Sequence, residues 1–206
     1  MRQINKIQLL ALVLMFPGFA FAQGWAKFVS EDDQFIVNLP GEPNVSEADY
    51  VTESGAIVPS RIYSVEDESS RYAVTVIDYT VVEEAHVTRC RQMEAELDRV
   101  SPNQCRGTGH LRDVDGSIAY EAWNIRSRHS GEITYDAFGR VDGIPGHQIQ
   151  ILHPDESRSF IGLYMLDRRL YVLEGRVPGH YPPPGHFQQS LGMLDETGRR
   201  VRYEGD

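Results

Sequence analysis

The chain has 206 residues, of which 41% are hydrophobic, and a formal net charge of −10 at pH 7. This length and composition suit one globular domain with a sizeable core. The acidic balance argues against a general nucleic-acid binder, which needs a basic face, and against docking on anionic lipid.

The start of the chain has the three parts of a cleavable secretory signal. Arg2 and Lys6 give a basic beginning, an apolar run follows, and a small-x-small pattern ends at Ala22. The apolar run is too short for a membrane anchor, because a spanning helix needs roughly 20 apolar residues. We therefore expect cleavage between Ala22 and Gln23, one domain over residues 23–206, and a periplasmic or secreted protein without stable membrane insertion.

The mature segment is patterned mainly as β-strands, with β-forming residues in short runs between turn residues. The predicted strands are residues 35–39, 56–65, 72–79, 117–126, 132–141, 147–152, 159–166 and 170–177. Pro59 favours an edge position or a bulge in its strand, because proline has no N–H for a ladder hydrogen bond. The short connection at residues 167–169 predicts an antiparallel pair.

Two helices are predicted from apolar positions that recur at helical spacing. The first covers residues 83–100, and the second covers residues 185–195, where Phe187, Leu191 and Leu194 share one face. Together with the strands, they predict an α+β fold in which two helices pack on a largely antiparallel sheet.

Cys90 and Cys105 are the two cysteines of the chain. In an oxidising exported compartment, an isolated pair is most simply a structural disulfide. The predicted helix rises ~15 Å beyond Cys90, and the extended chain that follows can return by ~16 Å, so the two cysteines can meet. Free thiols and a redox pair are the alternatives, but no Cys-x-x-Cys spacing supports redox chemistry.

Both ends of the mature chain resemble small exported proteins of unknown function from α-proteobacteria. The segments that carry this resemblance are Gly24-Trp25-Ala26-Lys27-Phe28-Val29-Ser30, Asp33-x-Phe35-x-Val37-Asn38-x-Pro40-Gly41-x-Pro43, residues 170–175, Tyr181-Pro182 and Phe187-Gln188-Gln189-Ser190-Leu191. More broadly, the plan resembles the Mog1/PsbP-like α/β/α sandwich, with an opening Phe-x-apolar-x-x-Pro strand and a closing strand and helix. That resemblance implies a binding or assembly module, and it transfers no catalytic residue.

The histidines do not predict a metal site. His147 and His153 fall on one predicted strand about 20 Å apart, which is too far for a shared ion. His180 and His186 flank a proline-rich segment, but a site there needs a third ligand from elsewhere. We expect solvated loop histidines and no metal or other cofactor.

Motifs for catalysis are also missing from the sequence. There is no nucleophile elbow, no phosphate-binding loop and no dinucleotide fingerprint. Asp113 and Asp115, followed by Gly116, lack the distant Glu of a calcium loop and are interpreted as a polar hairpin turn. A catalytic site assembled in space is still possible, and His110 and His129 with nearby acids are the candidates.

The leading hypothesis is a monomeric periplasmic binding or assembly module without catalysis, whose partner is a periplasmic protein or a small ligand. The candidate contact segment is a semi-rigid proline loop that carries an aromatic ring. It consists of His180, Tyr181, Pro182, Pro183 and Pro184. The alternatives are a periplasmic hydrolytic enzyme and an envelope protein held by this loop.

Overall fold

The computed structural model describes residues 24–67, 69–97, 111 and 113–202. The strands of this part are β1 (Ala26–Ser30), β2 (Phe35–Leu39), β3 (Asn44–Val51), β4 (Ile57–Glu66), β5 (Arg71–Asp78), β6 (Glu132–Val141), β7 (Ile144–Leu152), β8 (Arg158–Leu166), β9 (Arg169–Val177) and β10 (Gly192–Met193). The α-helices are α1 (Val82–Leu97), α2 (Val114–Arg128) and α3 (Gly185–Gln188), and a 3-10 turn at Tyr79–Val81 leads into α1.

Seven strands form the large sheet, in the order β3-β4-β5-β9-β8-β7-β6, and every neighbouring pair in it is antiparallel. A second sheet of three strands has the order β1-β2-β10. The turn between β8 and β9 consists of Asp167 and Arg168, both with positive φ (47° and 61°). Positive φ at both central residues gives a tight turn whose twist matches the twist of the flanking strands.

The large sheet is covered on both faces, because each face has its own buried apolar cluster. One cluster packs the three-stranded sheet and α3 against it, with Phe35, Met193 and Phe187 fully buried. The other packs the helices α1 and α2 against the opposite face, where Val82 and Ile125 are buried. The result is a three-layer arrangement of small sheet, large sheet and helices, and the predicted α+β class is confirmed.

Most predicted strands are confirmed to within two or three residues. Pro59 lies where β4 pairs only with β3, since the pairing of β4 with β5 begins at Ser60. The missing N–H of Pro59 therefore falls on a stretch of β4 with one partner strand, as the sequence suggested.

The prediction of a strand at residues 117–126 is wrong, because this segment belongs to α2. Asp113 is the N-cap, and its Oδ1 accepts a hydrogen bond from the N–H of Gly116 at 3.0 Å. Ile118 and Ile125 lie on the buried side of the helix. The predicted polar hairpin turn at Asp113 and Asp115 is thus the start of a helix, and α2 supplies the second helix on the large sheet.

The prediction of a helix over residues 185–195 is wrong beyond its first turn. Phe187, Leu191 and Leu194 are buried, but α3 ends at Gln188. The hydroxyl of Ser190 accepts a hydrogen bond from the backbone N–H of Asn38 at 2.7 Å. The chain then pairs with β2 as β10, because β2 offers a sheet edge at this point.

Several sequence-based predictions lie outside the described residues. These are the signal segment with its cleavage site after Ala22, Cys105 and His110. Cys90 lies in α1. Because Cys105 is outside the described residues, the disulfide between the two cysteines stays a prediction. No helix in the described ranges is long and apolar enough to cross a membrane.

Candidate ligand-binding groove

A groove runs across the helix-facing side of the large sheet, beside α2, and encloses about 390 Å³. Its floor includes small side chains from three neighbouring strands, namely Ala48, Ser60, Ala73 and Thr75, together with larger aliphatic ones. Ala48 lies opposite Ser60, and Thr75 lies opposite Ile62. The groove exists because small side chains line several adjacent strands, while α2 covers the sheet only to one side of them.

The wall of the groove on the α2 side contains a buried carboxylate. The residue Glu121 is only 2% exposed. Its carboxylate accepts hydrogen bonds from the hydroxyl of Tyr50 at 2.9 Å, from Asn124 at 3.2 Å and from Arg128 at 2.6 Å. A buried carboxylate is expensive unless it is paired and hydrogen-bonded, and these three donors supply that compensation.

Tyr50 closes the groove at the end nearest the turn between β3 and β4. Burial raises the pKa of Tyr50 far above its ordinary value, and the negative charge of Glu121 raises it further. The hydroxyl is therefore protonated at any physiological pH and donates to Glu121. This bond joins the edge strand β3 to α2 across the groove.

The opposite end of the groove contains a second set of polar side chains, which come from β5 and β9. Arg71 contacts Glu66 at 2.8 Å and Glu174 at 3.8 Å. The hydroxyl of Ser159 donates to Glu174 at 3.3 Å and is 2.8 Å from Nε2 of His153. The two ends of the groove therefore each hold a carboxylate and an arginine.

Burial limits the chemistry that Ser159 can perform. Nε2 of His153 and Oγ of Ser159 are 2.8 Å apart, and which of the two donates depends on the tautomer of the imidazole. Ser159 is also 0% exposed, which keeps substrates from its oxygen. The contacts with His153 and Glu174 hold the Ser159 side chain in place at the end of the groove.

His129 ends α2 and lies beside His153, with 5.5 Å between the ring centroids. Burial lowers the pKa of His153, and the positive charges of Arg176 and His129 lower it further against the opposing effect of Asp155 and Glu174. The neutral imidazole is therefore favoured at neutral pH. Of the two histidines proposed for a catalytic site, the structure thus places His129 at the groove, and His110 lies outside the described residues.

The other predicted histidines lie apart from the groove. His147 contacts the carboxylate of Asp136 on the far side of α2, and His186 packs against Trp25 with 5.1 Å between ring centroids. His180 packs edge-on against Tyr181 at 4.8 Å. Within the described part of the chain, no group of three His, Cys, Asp or Glu side chains could hold a metal ion.

The predicted contact loop lies at the surface of the small-sheet side. The side chains of His180, Tyr181, Pro182 and Pro183 are exposed, whereas Pro184 is buried. Arg158 donates a hydrogen bond to the backbone oxygen of Tyr181. Four of the five predicted residues are thus accessible, and a partner contact at this loop stays a prediction.

The groove residues Tyr50, Thr75, Glu121 and Glu174 were missed by sequence reasoning. The register of β4, β5 and β9 places Thr75 and Glu174 on one face, but alternation alone does not tell which face a cavity borders. Glu121 had a usable signal, since it interrupts the apolar face of α2 next to Ala122. Because the segment was predicted to be a strand, this feature of Glu121 was not recognised.

No family model matches the sequence, and no curated protein matches it. Among solved structures, the chain is similar to the solution structure of cyanobacterial PsbP (CyanoP) from Synechocystis sp. PCC 6803. The two chains are 10% identical with a TM-score of 0.44, and the match covers 88% of this chain and 99% of the other.

Proposed function

We propose that this chain is an exported, non-catalytic binding module of the periplasm, and that it binds a small polar ligand in the groove beside α2. The observation that supports this function is the groove itself, an open space of about 390 Å³ over the helix-facing side of the large sheet. Ligand sites in proteins are typically clefts of ~300–1,000 Å³ with a few fixed polar groups.

The polar groups of the groove indicate the kind of ligand. Arg128 makes its hydrogen bond to Glu121 with one terminal nitrogen, and Arg71 bonds Glu66 through Nε. A guanidinium has five N–H donors, so both arginines keep donors for an incoming acceptor. Because each arginine stands beside a carboxylate, the groove favours a hydrogen-bonding ligand of low net charge over a strongly charged one.

The signal pattern that ends at Ala22 supports the proposed location, and the acidic net charge favours solubility. A binding role is also what the resemblance to Mog1/PsbP-like proteins implies. The alternative of a hydrolytic enzyme draws support from the contact between His129 and His153. The complete burial of Ser159 favours binding over catalysis.

The proposal that a ligand binds in the groove is tested with a variant that fills the groove. Thr75 is half-buried on the groove floor, and an aromatic residue is well tolerated in a strand, so Thr75→Tyr is expected to block the groove without unfolding the sheet. We expect that polar metabolites which bind the wild type, detected by thermal shift and located by amide NMR shifts, no longer bind this variant. Thr134→Tyr, an exposed position on β6, is the matched control and should bind normally.

Two results would contradict the proposal. Unchanged binding by Thr75→Tyr would place the ligand elsewhere on the molecule. Turnover of an ester, amide or phosphate substrate that disappears in His153→Gln and in Thr75→Tyr would instead establish the hydrolytic enzyme.

A further inference from the structure

A second cavity lies on the opposite side of α2 from the groove, between this helix and the strands β6 and β7. It encloses about 340 Å³. Its walls are mainly apolar and come from Ile118, Ala119 and Ala122 on α2 and from Pro145 on β7. No residue lining this cavity also lines the groove, so the two cavities are separate sites.

The outer wall of this cavity is an aromatic ring that is almost entirely solvent-exposed. Phe138 on the edge strand β6 is 89% exposed. Its ring contacts His147 edge-on, with 5.5 Å between the centroids. A ligand placed against the ring would remove part of its apolar surface from water, which is favourable. Exposed apolar surface beside a concave apolar site is typical of a ligand-binding position.

The polar end of the cavity is formed by Arg126 and His147, which share the carboxylate of Asp136. Arg126 donates to Asp136 through Nε at 2.8 Å and through Nη2 at 3.4 Å, and His147 contacts Oδ1 of the same carboxylate. Burial would raise the pKa of Asp136, but the hydrogen bonds from His147 and Arg126 outweigh it and lower the pKa. Asp136 is therefore ionised, and it holds the guanidinium in a fixed orientation.

The charges around the cavity select against ionic ligands. The negative charge of Asp136 cancels that of Arg126, and Asp115 adds an exposed carboxylate at the other end. An anionic ligand would face two carboxylates against one guanidinium. A cationic ligand would place its charge against apolar walls and beside Arg126. The donors of Arg126 that Asp136 leaves unused can still serve an uncharged acceptor.

We propose that this cavity is a binding site for a small uncharged aromatic compound that carries a hydrogen-bond acceptor, such as a ketone or amide. The aromatic body lies between Phe138 and the α2 wall, where it covers the exposed ring. The acceptor oxygen takes a hydrogen bond from Arg126. The site is independent of the groove and needs no groove ligand.

The proposal is tested with four probes of similar size. Acetophenone is uncharged and has an acceptor, ethylbenzene lacks the acceptor, benzoate is an anion, and benzylamine is a cation. Titrations followed by amide NMR shifts of the full mature protein should rank acetophenone first, with its largest shifts on α2, β6 and β7. Ethylbenzene should bind about tenfold more weakly, because it cannot use the hydrogen bond to a charged donor.

Three variants locate the site and its polar contact. Ala119→Trp, at an exposed helix position that lines the cavity, fills it and should abolish acetophenone binding. Arg126→Met should weaken acetophenone about tenfold and leave ethylbenzene unchanged. Arg91→Met, an exposed arginine on α1, is the matched control and should bind like the wild type. Circular dichroism of each variant checks that the fold is retained.

The proposal is overturned if none of the four probes binds at millimolar concentration. It is also overturned if benzoate or benzylamine binds most tightly, if ethylbenzene equals acetophenone, or if Ala119→Trp binds normally. Thr75→Tyr, which fills the groove, should leave acetophenone binding unchanged. Loss of binding in that variant would mean that the probe occupies the groove instead.

Discussion

Glu121 and Ser159 are buried polar residues beside the groove, and both are held by more than one partner. Glu121 accepts from Tyr50 and Arg128, and Ser159 lies between His153 and Glu174. Groups held in this way keep their orientation before a ligand arrives, which reduces the entropy lost on binding. The polar groups at both ends of the groove are thus preorganised for recognition.

His153 makes the stability of the protein depend on pH. The pKa of His153 is lowered in the folded state by burial and by Arg176 and His129, against Asp155 and Glu174. Between the lowered folded-state pKa of His153 and its unfolded-state pKa of about 6.5, the unfolded chain binds more protons than the folded one. The free energy of unfolding therefore rises with pH through this window. The contribution of His153 is fully present above about pH 6.5 and is lost as the pH falls through the folded-state pKa.

We therefore expect the free energy of unfolding to decrease from pH 7 to pH 5, and this decrease to be smaller in His153→Gln. Urea unfolding at several pH values measures it. Other groups titrate in the same range, so the difference between the variant and the wild type is the relevant quantity. His180→Gln removes an exposed histidine and should follow the wild type. An equal pH dependence in the wild type and in His153→Gln would contradict the assignment.

At the scale of elements, α2 shows where local sequence patterns mislead. Ile118, Ala122 and Ile125 fit a helical face, but Tyr120 and Trp123 add the aromatic content that is typical of strands. The residues at the two ends of the segment indicate a helix more clearly. Asp113 is a favoured N-cap residue, and Arg126 and Arg128 in the last turn complement the helix dipole.

The N-cap offers a direct test of α2. We expect Asp113→Ala to lower the free energy of unfolding by about 1 kcal/mol, because the N–H of Gly116 loses its acceptor. Asp113→Asn keeps an acceptor oxygen at the same place and should cost only a few tenths of that. Urea unfolding of the three proteins gives the comparison. Equal losses in both variants would indicate that the charge, and not the cap hydrogen bond, is what matters.

Six of the seven strands of the large sheet were predicted, because alternation is a local signal with period two. The edge strand β3 was missed, since nearly all its side chains are exposed and show no such alternation. The strand β10 was also missed, because it exists only through pairing with β2, about 155 positions earlier in the chain. Leu191 and Leu194 were correctly assigned to the core while the backbone around them was not. Apolar spacing thus identifies buried side chains more reliably than it identifies the element that carries them.

At the scale of the whole molecule, the groove could not be predicted from the sequence. It needs Tyr50 from one edge strand, Thr75 and Glu174 from the centre of the sheet, and Glu121 from α2. These residues become neighbours only through the strand order, in which β5 pairs with β9 and not with the strand that follows it. The strand and helix patterns predicted the α+β class, but the site depends on long-range topology.

The disulfide between Cys90 and Cys105 is a prediction that concerns the stability of the whole molecule. Closing a loop of about 15 residues restricts the unfolded chain and stabilises the folded state by ~3 kcal/mol on the chain-entropy model. The double variant Cys90→Ser, Cys105→Ser should therefore unfold at lower urea concentration, with a loss of this size. The wild type in reductant should resemble the variant, and reductant should not affect the variant itself.

Thiol labelling of the exported, denatured protein provides the independent measurement. It should find no free cysteine, whereas the same chain retained in the cytoplasm, where thiols stay reduced, should show two. Two labelled cysteines in the exported protein would contradict the disulfide. That result would also remove the covalent link that we expect between α1 and the segment that leads to α2, the helix that borders both proposed sites.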